Sequence, residues 1–107
     1  MRVDIYIFDQ YIKEGKLMHK LQPRCLGYVI TERFIEDEIF NLCNWSHWTK
    51  EKPSNLYANI GSCGHGLYLI NPETNKGYLA LSFGWLTGNR DEILKYVQEN
   101  QSNPLWQ

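Results

Sequence analysis

The sequence lacks the features that define several large functional classes. Its 107 residues include three cysteines and four prolines, and the formal net charge is −1. Because nucleic-acid binders usually carry a basic excess, direct nucleic-acid binding is disfavoured. No apolar run approaches the roughly 20 residues that cross a membrane, and Met1–Asp4 runs directly into a strand pattern rather than a signal peptide. We therefore expect a cytoplasmic protein that binds neither nucleic acid nor membrane.

The cysteines are few, odd in number and widely spaced. Without a secretory signal, Cys25, Cys43 and Cys63 are most simply interpreted as reduced thiols. No Cys-x-x-Cys motif and no glycine-rich phosphate loop ending in Gly-Lys-Ser/Thr occurs. The sequence therefore predicts no cofactor and no catalytic motif.

Two Cys–His pairs nevertheless offer an alternative. Cys43 and His47 are four residues apart, at a helix end, and Cys63 and His65 are two apart in an extended segment. Together they would form a tetrahedral zinc site, and Cys63 near His65 would suit an activated thiolate. The simpler interpretation is that Cys43 belongs to an apolar helix stripe, since cysteine behaves as a small buried hydrophobe. A small Cys/His-centred enzyme or zinc-binding protein is therefore the alternative function.

Local patterns predict the secondary structure. Strands are expected at Val3–Phe8, Leu26–Thr31, Gly66–Ile70 and Tyr78–Phe83, with an edge-like strand at Leu17–Leu21 after a turn at Gly15. Helices are expected over Glu32–Asn44 and after Asn89, where Glu92 completes a capping box.

The C-terminal hairpin has apolar residues on both alternating sets of positions. We expect its strands to be partly covered on both sides, with one core face shared by Leu67, Leu69, Leu79, Leu81 and Phe83. The whole pattern predicts a single α+β domain over residues 1–107, with a mainly antiparallel sheet of about four to five strands and two helices packed on it.

An acidic helix face next to aromatic residues is the strongest candidate for a binding surface. Glu36, Asp37 and Glu38 lead along the chain to Trp45, His47 and Trp48. Carboxylates would steer a basic partner towards this surface, and tryptophans would anchor it. The alternative is that both tryptophans pack on the core, as tryptophan usually does.

These observations favour a protein-binding or inhibitory protein. In small size, α+β pattern and acidic-aromatic surface, the chain resembles bacterial immunity proteins and phage-encoded inhibitors, although no sequence motif is shared. The resemblance implies a partner such as a basic toxin or nuclease, neutralised by occlusion of its active site. A homo-oligomer formed through the apolar hairpin face is compatible with either function.

Overall fold

The computed structural model describes residues 1–43, 66–82 and 84–102. Several residues singled out from the sequence lie outside this part of the chain: Trp45, His47, Trp48, Cys63, His65 and Phe83.

A five-stranded antiparallel sheet and a separate two-stranded sheet carry the fold. The strands are β1 (Arg2–Ile7), β2 (Gln10–Lys13), β3 (Lys16–His19), β4 (Arg24–Ile30), β5 (Leu67–Ile70), β6 (Gly77–Leu81) and β7 (Gly84–Gly88). The helices are α1 (Glu36–Leu42) and α2 (Arg90–Glu99). The main sheet has the order β4-β1-β5-β6-β7, and β2 pairs with β3. The predicted α+β class and mainly antiparallel sheet are therefore confirmed.

Both faces of the main sheet are covered. One cluster of buried side chains contains Val3, Ile5, Leu26, Val29, Ile39, Cys43, Leu67, Leu69 and Ala80. A second contains Phe8, Tyr68, Leu79, Ile93 and Val97. Neighbouring residues of a strand fall in different clusters, so the two clusters lie on opposite faces. Ile39 of α1 belongs to the first cluster, and Ile93 and Val97 of α2 belong to the second, so buried side chains lie on both sides of the hairpin.

The predicted shared face of the C-terminal hairpin is wrong. Tyr68 pairs with Leu79 and Leu69 pairs with Tyr78, so Leu69 and Leu79 point to opposite faces. Leu67 belongs with Leu69, whereas Leu81 packs with Leu79, and Phe83 lies outside the described residues. A shift of one residue in register exchanges the two faces of a strand, and the sequence of the connecting loop did not specify that register.

The helices differ from their predicted forms to different degrees. Helix α2 begins as expected: Asn89 Oδ1 accepts the Glu92 backbone N–H at 2.9 Å, and Glu92 Oε1 accepts the Asn89 N–H at 3.2 Å. Helix α1 spans seven residues, much less than the predicted Glu32–Asn44. Its N-cap, Ile35, has no side chain that can accept a hydrogen bond, so the regular helix starts only at the acidic turn.

The β2–β3 hairpin attaches to the body near the end of α2. Its turn places Glu14 at φ 52° and Gly15 at φ 77°, the paired positive values of a tight hairpin turn. The predicted turn at Gly15 is thus confirmed, but the strand that follows it belongs to a sheet of its own. His19 is fully buried, and the Gln101 side chain donates to the His19 carbonyl at 2.9 Å. These contacts fix the hairpin against the chain that follows α2.

A two-point ion pair also anchors the start of β4. Arg24 donates from Nε and Nη2 to the two carboxylate oxygens of Asp9, at 2.9 and 3.0 Å. These hydrogen bonds hold the pKa of Asp9 below its ordinary value. A carboxyl whose pKa is lower in the folded state stabilises the fold above its unfolded pKa, and this contribution disappears as the pH falls through the folded pKa.

We expect Asp9→Asn to lower the free energy of unfolding at pH 7 by about 0.5–1 kcal/mol, the range for a well-oriented pair near the surface. The difference from wild type should shrink as the pH falls below about 4. Urea titrations across that range measure it. Asp4→Asn is the control. Asp4 forms a single contact with Arg2, at 3.1 Å, and this ion pair is more exposed than that of Asp9 with Arg24. Equal losses for the two variants at pH 7, or a loss independent of pH, would contradict the assignment.

Within the described residues, no helix combines the length and the apolar character that crossing a bilayer requires. The radius of gyration is 13.5 Å, close to the roughly 13 Å expected of a compact chain of about 100 residues.

Candidate functional site

The first turn of α1 carries three consecutive carboxylates. Asp37 and Glu38 are exposed and Glu36 is half-buried, while Ile39 on the following turn is fully buried in the first cluster. In the part of the chain that the structure describes, none of the three carboxylates takes part in an ion pair. Asp37 and Glu38 thus expose their charge to solvent without a counter-ion among the described residues.

Asp37 is oriented by a tryptophan that is distant in sequence. The Trp85 indole Nε1–H donates to Asp37 Oδ1 at 2.9 Å. Trp85 lies on β7, where it pairs with Ala80 of β6, and this places its ring on the sheet face that α1 covers. The hydrogen bond fixes one carboxylate oxygen and leaves Oδ2 with no partner among the described residues.

A small cleft lies between α1 and the end of the sheet. It has a volume of about 150 Å³, and its described lining residues are Asp37, Phe40, Ala80, Leu81, Gly84 and Trp85. The rings of Phe40 and Trp85 meet edge to face, with centroids 6.1 Å apart. Gly84 has φ 147°, and no atom of the described residues lies within 4 Å of the position that a Cβ would take there. The cleft thus combines an aromatic wall with a carboxylate at its rim.

This arrangement suits a cationic side chain. Aromatic rings attract ammonium and guanidinium groups through the negative face of the ring. A carboxylate oxygen accepts charge-assisted hydrogen bonds from the same groups. Asp37 and Trp85 together therefore provide both interactions within one cleft.

Sequence reasoning missed Trp85 as a site residue. No strand was predicted over the segment from Gly84 to Gly88, whereas it forms strand β7. Trp85 and Thr87 are residues that strands favour, and this propensity was the available signal. The acidic triplet was placed correctly on a helix, but the aromatic partners predicted for it, Trp45, His47 and Trp48, lie outside the described residues.

Of the four residues of the predicted Cys/His centre, Cys43 lies within the described part of the chain. Cys43 is fully buried in the first cluster, among apolar side chains. His47, Cys63 and His65 lie outside the described residues. Among the described side chains, no group of three or more His, Cys, Asp or Glu residues is arranged to hold a metal ion.

Searches against protein-family models, curated proteins and solved structures find no match for this chain.

Proposed function

We propose that this protein is a small cytoplasmic binding or inhibitory protein that docks on a basic partner through the first turn of α1 and the adjoining cleft. The model for such a function is an immunity or antitoxin protein, which neutralises a toxin such as a nuclease by occluding its active site. The observation that carries the proposal is the contact between Asp37 and Trp85 at the rim of the cleft.

The partner is expected to insert an arginine or lysine side chain into this cleft. Its cationic group would lie against the ring of Trp85 and donate to Asp37 Oδ2. Glu38, exposed one residue further along α1, would add long-range attraction. Because unpaired carboxylates act at a distance of about a Debye length, they would accelerate the encounter before any contact forms.

The three carboxylates also have a role within the chain. Negative side chains in the first turn of a helix stabilise it by about 0.3–1 kcal/mol each through the helix dipole, and Ile35 provides no side-chain cap. A decisive experiment must therefore separate loss of binding from loss of helix. Asp91 is a matched control, because it is also exposed and is also the second residue of its helix, α2.

We expect a hexa-arginine peptide to shift the Trp85 indole N–H resonance in an NMR titration of ¹⁵N-labelled protein. Asp37→Asn should weaken binding about fivefold to tenfold, because it removes the charge of the hydrogen-bond acceptor, at a cost of roughly 1–1.5 kcal/mol. Trp85→Phe should weaken it less, since the ring remains but the hydrogen bond to Asp37 is lost.

Asp91→Asn should leave the affinity for the peptide unchanged within about twofold, although it removes the same charge. Binding that weakens equally for Asp37→Asn and Asp91→Asn would indicate attraction to net charge alone and would refute a site at the cleft. A peptide that shifts resonances elsewhere but not that of Trp85 would have the same consequence.

A homo-oligomer remains a further proposal, but the hairpin face predicted as its interface is unsuited. The residues of that hairpin are packed against side chains of the same chain on both faces. Strands β4 and β7, which end the main sheet, are the alternative surfaces for self-association.

A further inference from the structure

A second pocket lies on the other face of the main sheet, the face that α2 covers. Its described lining residues are Tyr6, Pro23, Tyr68, Ile70 and Arg90, and its volume is about 80 Å³. Tyr6 and Tyr68 stand on the neighbouring strands β1 and β5, where they pair directly, and their ring centroids are 5.9 Å apart. Two phenols and one guanidinium group therefore meet around a small enclosed space.

The hydroxyl of Tyr68 is the unusual group of this pocket. Tyr68 is 2% exposed, and its buried hydroxyl has no hydrogen-bond partner among the described residues. Native proteins satisfy nearly all buried polar groups, since an unmade hydrogen bond forfeits the hydration that the group had in the unfolded chain. A buried phenol without a partner, next to a pocket, indicates that a bound ligand accepts its hydrogen bond.

Arg90 supplies an uncompensated positive charge beside that phenol. Its side chain forms no ion pair with a residue in the described part of the chain. Burial raises the pKa of Tyr68, and the neighbouring guanidinium of Arg90 acts in the opposite direction. Burial and the nearby Asp4 carboxylate likewise raise the pKa of Tyr6, against the effect of Arg90. Both phenols thus remain protonated donors at neutral pH.

We propose that the pocket formed by Tyr6, Tyr68 and Arg90 binds a single carboxylate group, with the guanidinium as its counter-ion and the two phenols as hydrogen-bond donors. The carboxylate belongs to a small organic acid or to a peptide C terminus. The volume of the pocket admits the carboxylate and little more. Because the Tyr68 hydroxyl is buried, contact with it requires a small movement of the side chains around it.

The surrounding charges favour a monoanion over a more highly charged ligand. Asp4, which lies near Tyr6, is itself paired with Arg2 at 3.1 Å. The Glu92 carboxylate is engaged in the capping box with the Asn89 N–H. Asp91, exposed in the same turn as Arg90, opposes anions in proportion to their charge. One guanidinium group and two neutral donors complement one negative charge.

The test is an NMR titration with sodium acetate at constant ionic strength, with sodium chloride as the reference salt. We expect saturable shifts of the Tyr6, Tyr68 and Arg90 amide resonances with acetate and not with chloride. Arg90→Gln and Tyr68→Phe should each weaken acetate binding about tenfold or more, as loss of a charge-assisted hydrogen bond predicts. Lys95→Gln removes the same charge from the same helix, and Tyr78→Phe removes a hydroxyl on the opposite face; neither should change the affinity.

A peptide titration and a melting-temperature measurement complete the test. Acetyl-diglycine with a free C terminus tests for a peptide ligand: binding tighter than that of acetate identifies a chain terminus as the source, and weaker or no binding identifies a small acid. The C-terminal amide of the same peptide should not bind in either case. Without ligand, Tyr68→Phe should raise the melting temperature by several degrees, because the unsatisfied hydroxyl is removed.

The proposal is overturned if acetate shifts no resonance at these residues, or if Arg90→Gln and Lys95→Gln alter its affinity equally. Tighter binding of inorganic phosphate than of acetate would refute the choice of a carboxylate. A melting temperature that falls in Tyr68→Phe would show that the hydroxyl is already satisfied in the free protein, and would remove the premise.

Discussion

Replacing Glu36, Asp37 and Glu38 together by lysine is expected to slow association with a basic protein partner by about tenfold to a thousandfold, the range over which electrostatic steering acts. None of the three carboxylates is compensated by an ion pair in the described structure. Their removal should therefore act on the encounter rate, and the remaining rate should depend much less on salt. The measurement is the association rate at several ionic strengths, against the partner recovered on the immobilised wild-type protein.

The control for this experiment carries the same change in net charge elsewhere. Glu73, Asp91 and Glu99 are exposed, and Asp91 lies in the first turn of α2, so its reversal imposes the same kind of dipole penalty as one of the three changes at α1. Reversal of these three charges should slow association by much less. If the α1 variant kept its on-rate and its salt dependence while remaining folded, the acidic surface would not be the docking site.

Leu69→Ala is expected to destabilise the fold by about 2–5 kcal/mol. Leu69 is fully buried in β5, the central strand of the main sheet, between Ile5 of β1 and Tyr78 of β6. Strands on both sides hold the surrounding backbone in place, so the cavity left by the smaller side chain can collapse only in part. Because small domains are typically stable by about 5–15 kcal/mol, urea denaturation should show a large shift of the midpoint.

Ile30→Ala provides the comparison for this prediction. Ile30 ends β4 at the edge of the same sheet and is 62% exposed. Ile30→Ala should lower the free energy of unfolding by less than about 1 kcal/mol, mostly through lost strand propensity. If the two variants lost similar amounts of unfolding free energy, Leu69 would not be the buried core residue that the register of β5 implies.

Elements with strong local signals were predictable from sequence. The capping box at Asn89 and Glu92 depends on residues three positions apart, and both of its hydrogen bonds are present. The alternation around Val3 and Ile5 identified β1 for the same reason. By contrast, α1 was predicted too long, because the apolar spacing from Ile35 to Cys43 does not reveal that the chain before Glu36 remains extended at the N-cap.

The candidate binding cleft was only half predictable. The carboxylate of Asp37 was identified from its place in a charged run on a helix. Its partner Trp85 follows 48 residues later, on a strand whose pairing with β6 is set by the sheet as a whole. The sequence instead indicated Trp45, His47 and Trp48 as partners of Asp37, because they lie near it along the chain.

The sequence by itself determined the class of this protein: an α+β chain with a near-neutral charge, a capped C-terminal helix and an acidic turn. These depend on local periodicity, capping and composition, which act over a few residues. Only the tertiary structure decided which face Leu69 and Leu79 cover, that Asp37 meets Trp85, and that Tyr6, Tyr68 and Arg90 enclose one pocket. The reason is strand register: it depends on the combined packing of all strands, and a shift of one residue reverses every side chain that a site could use.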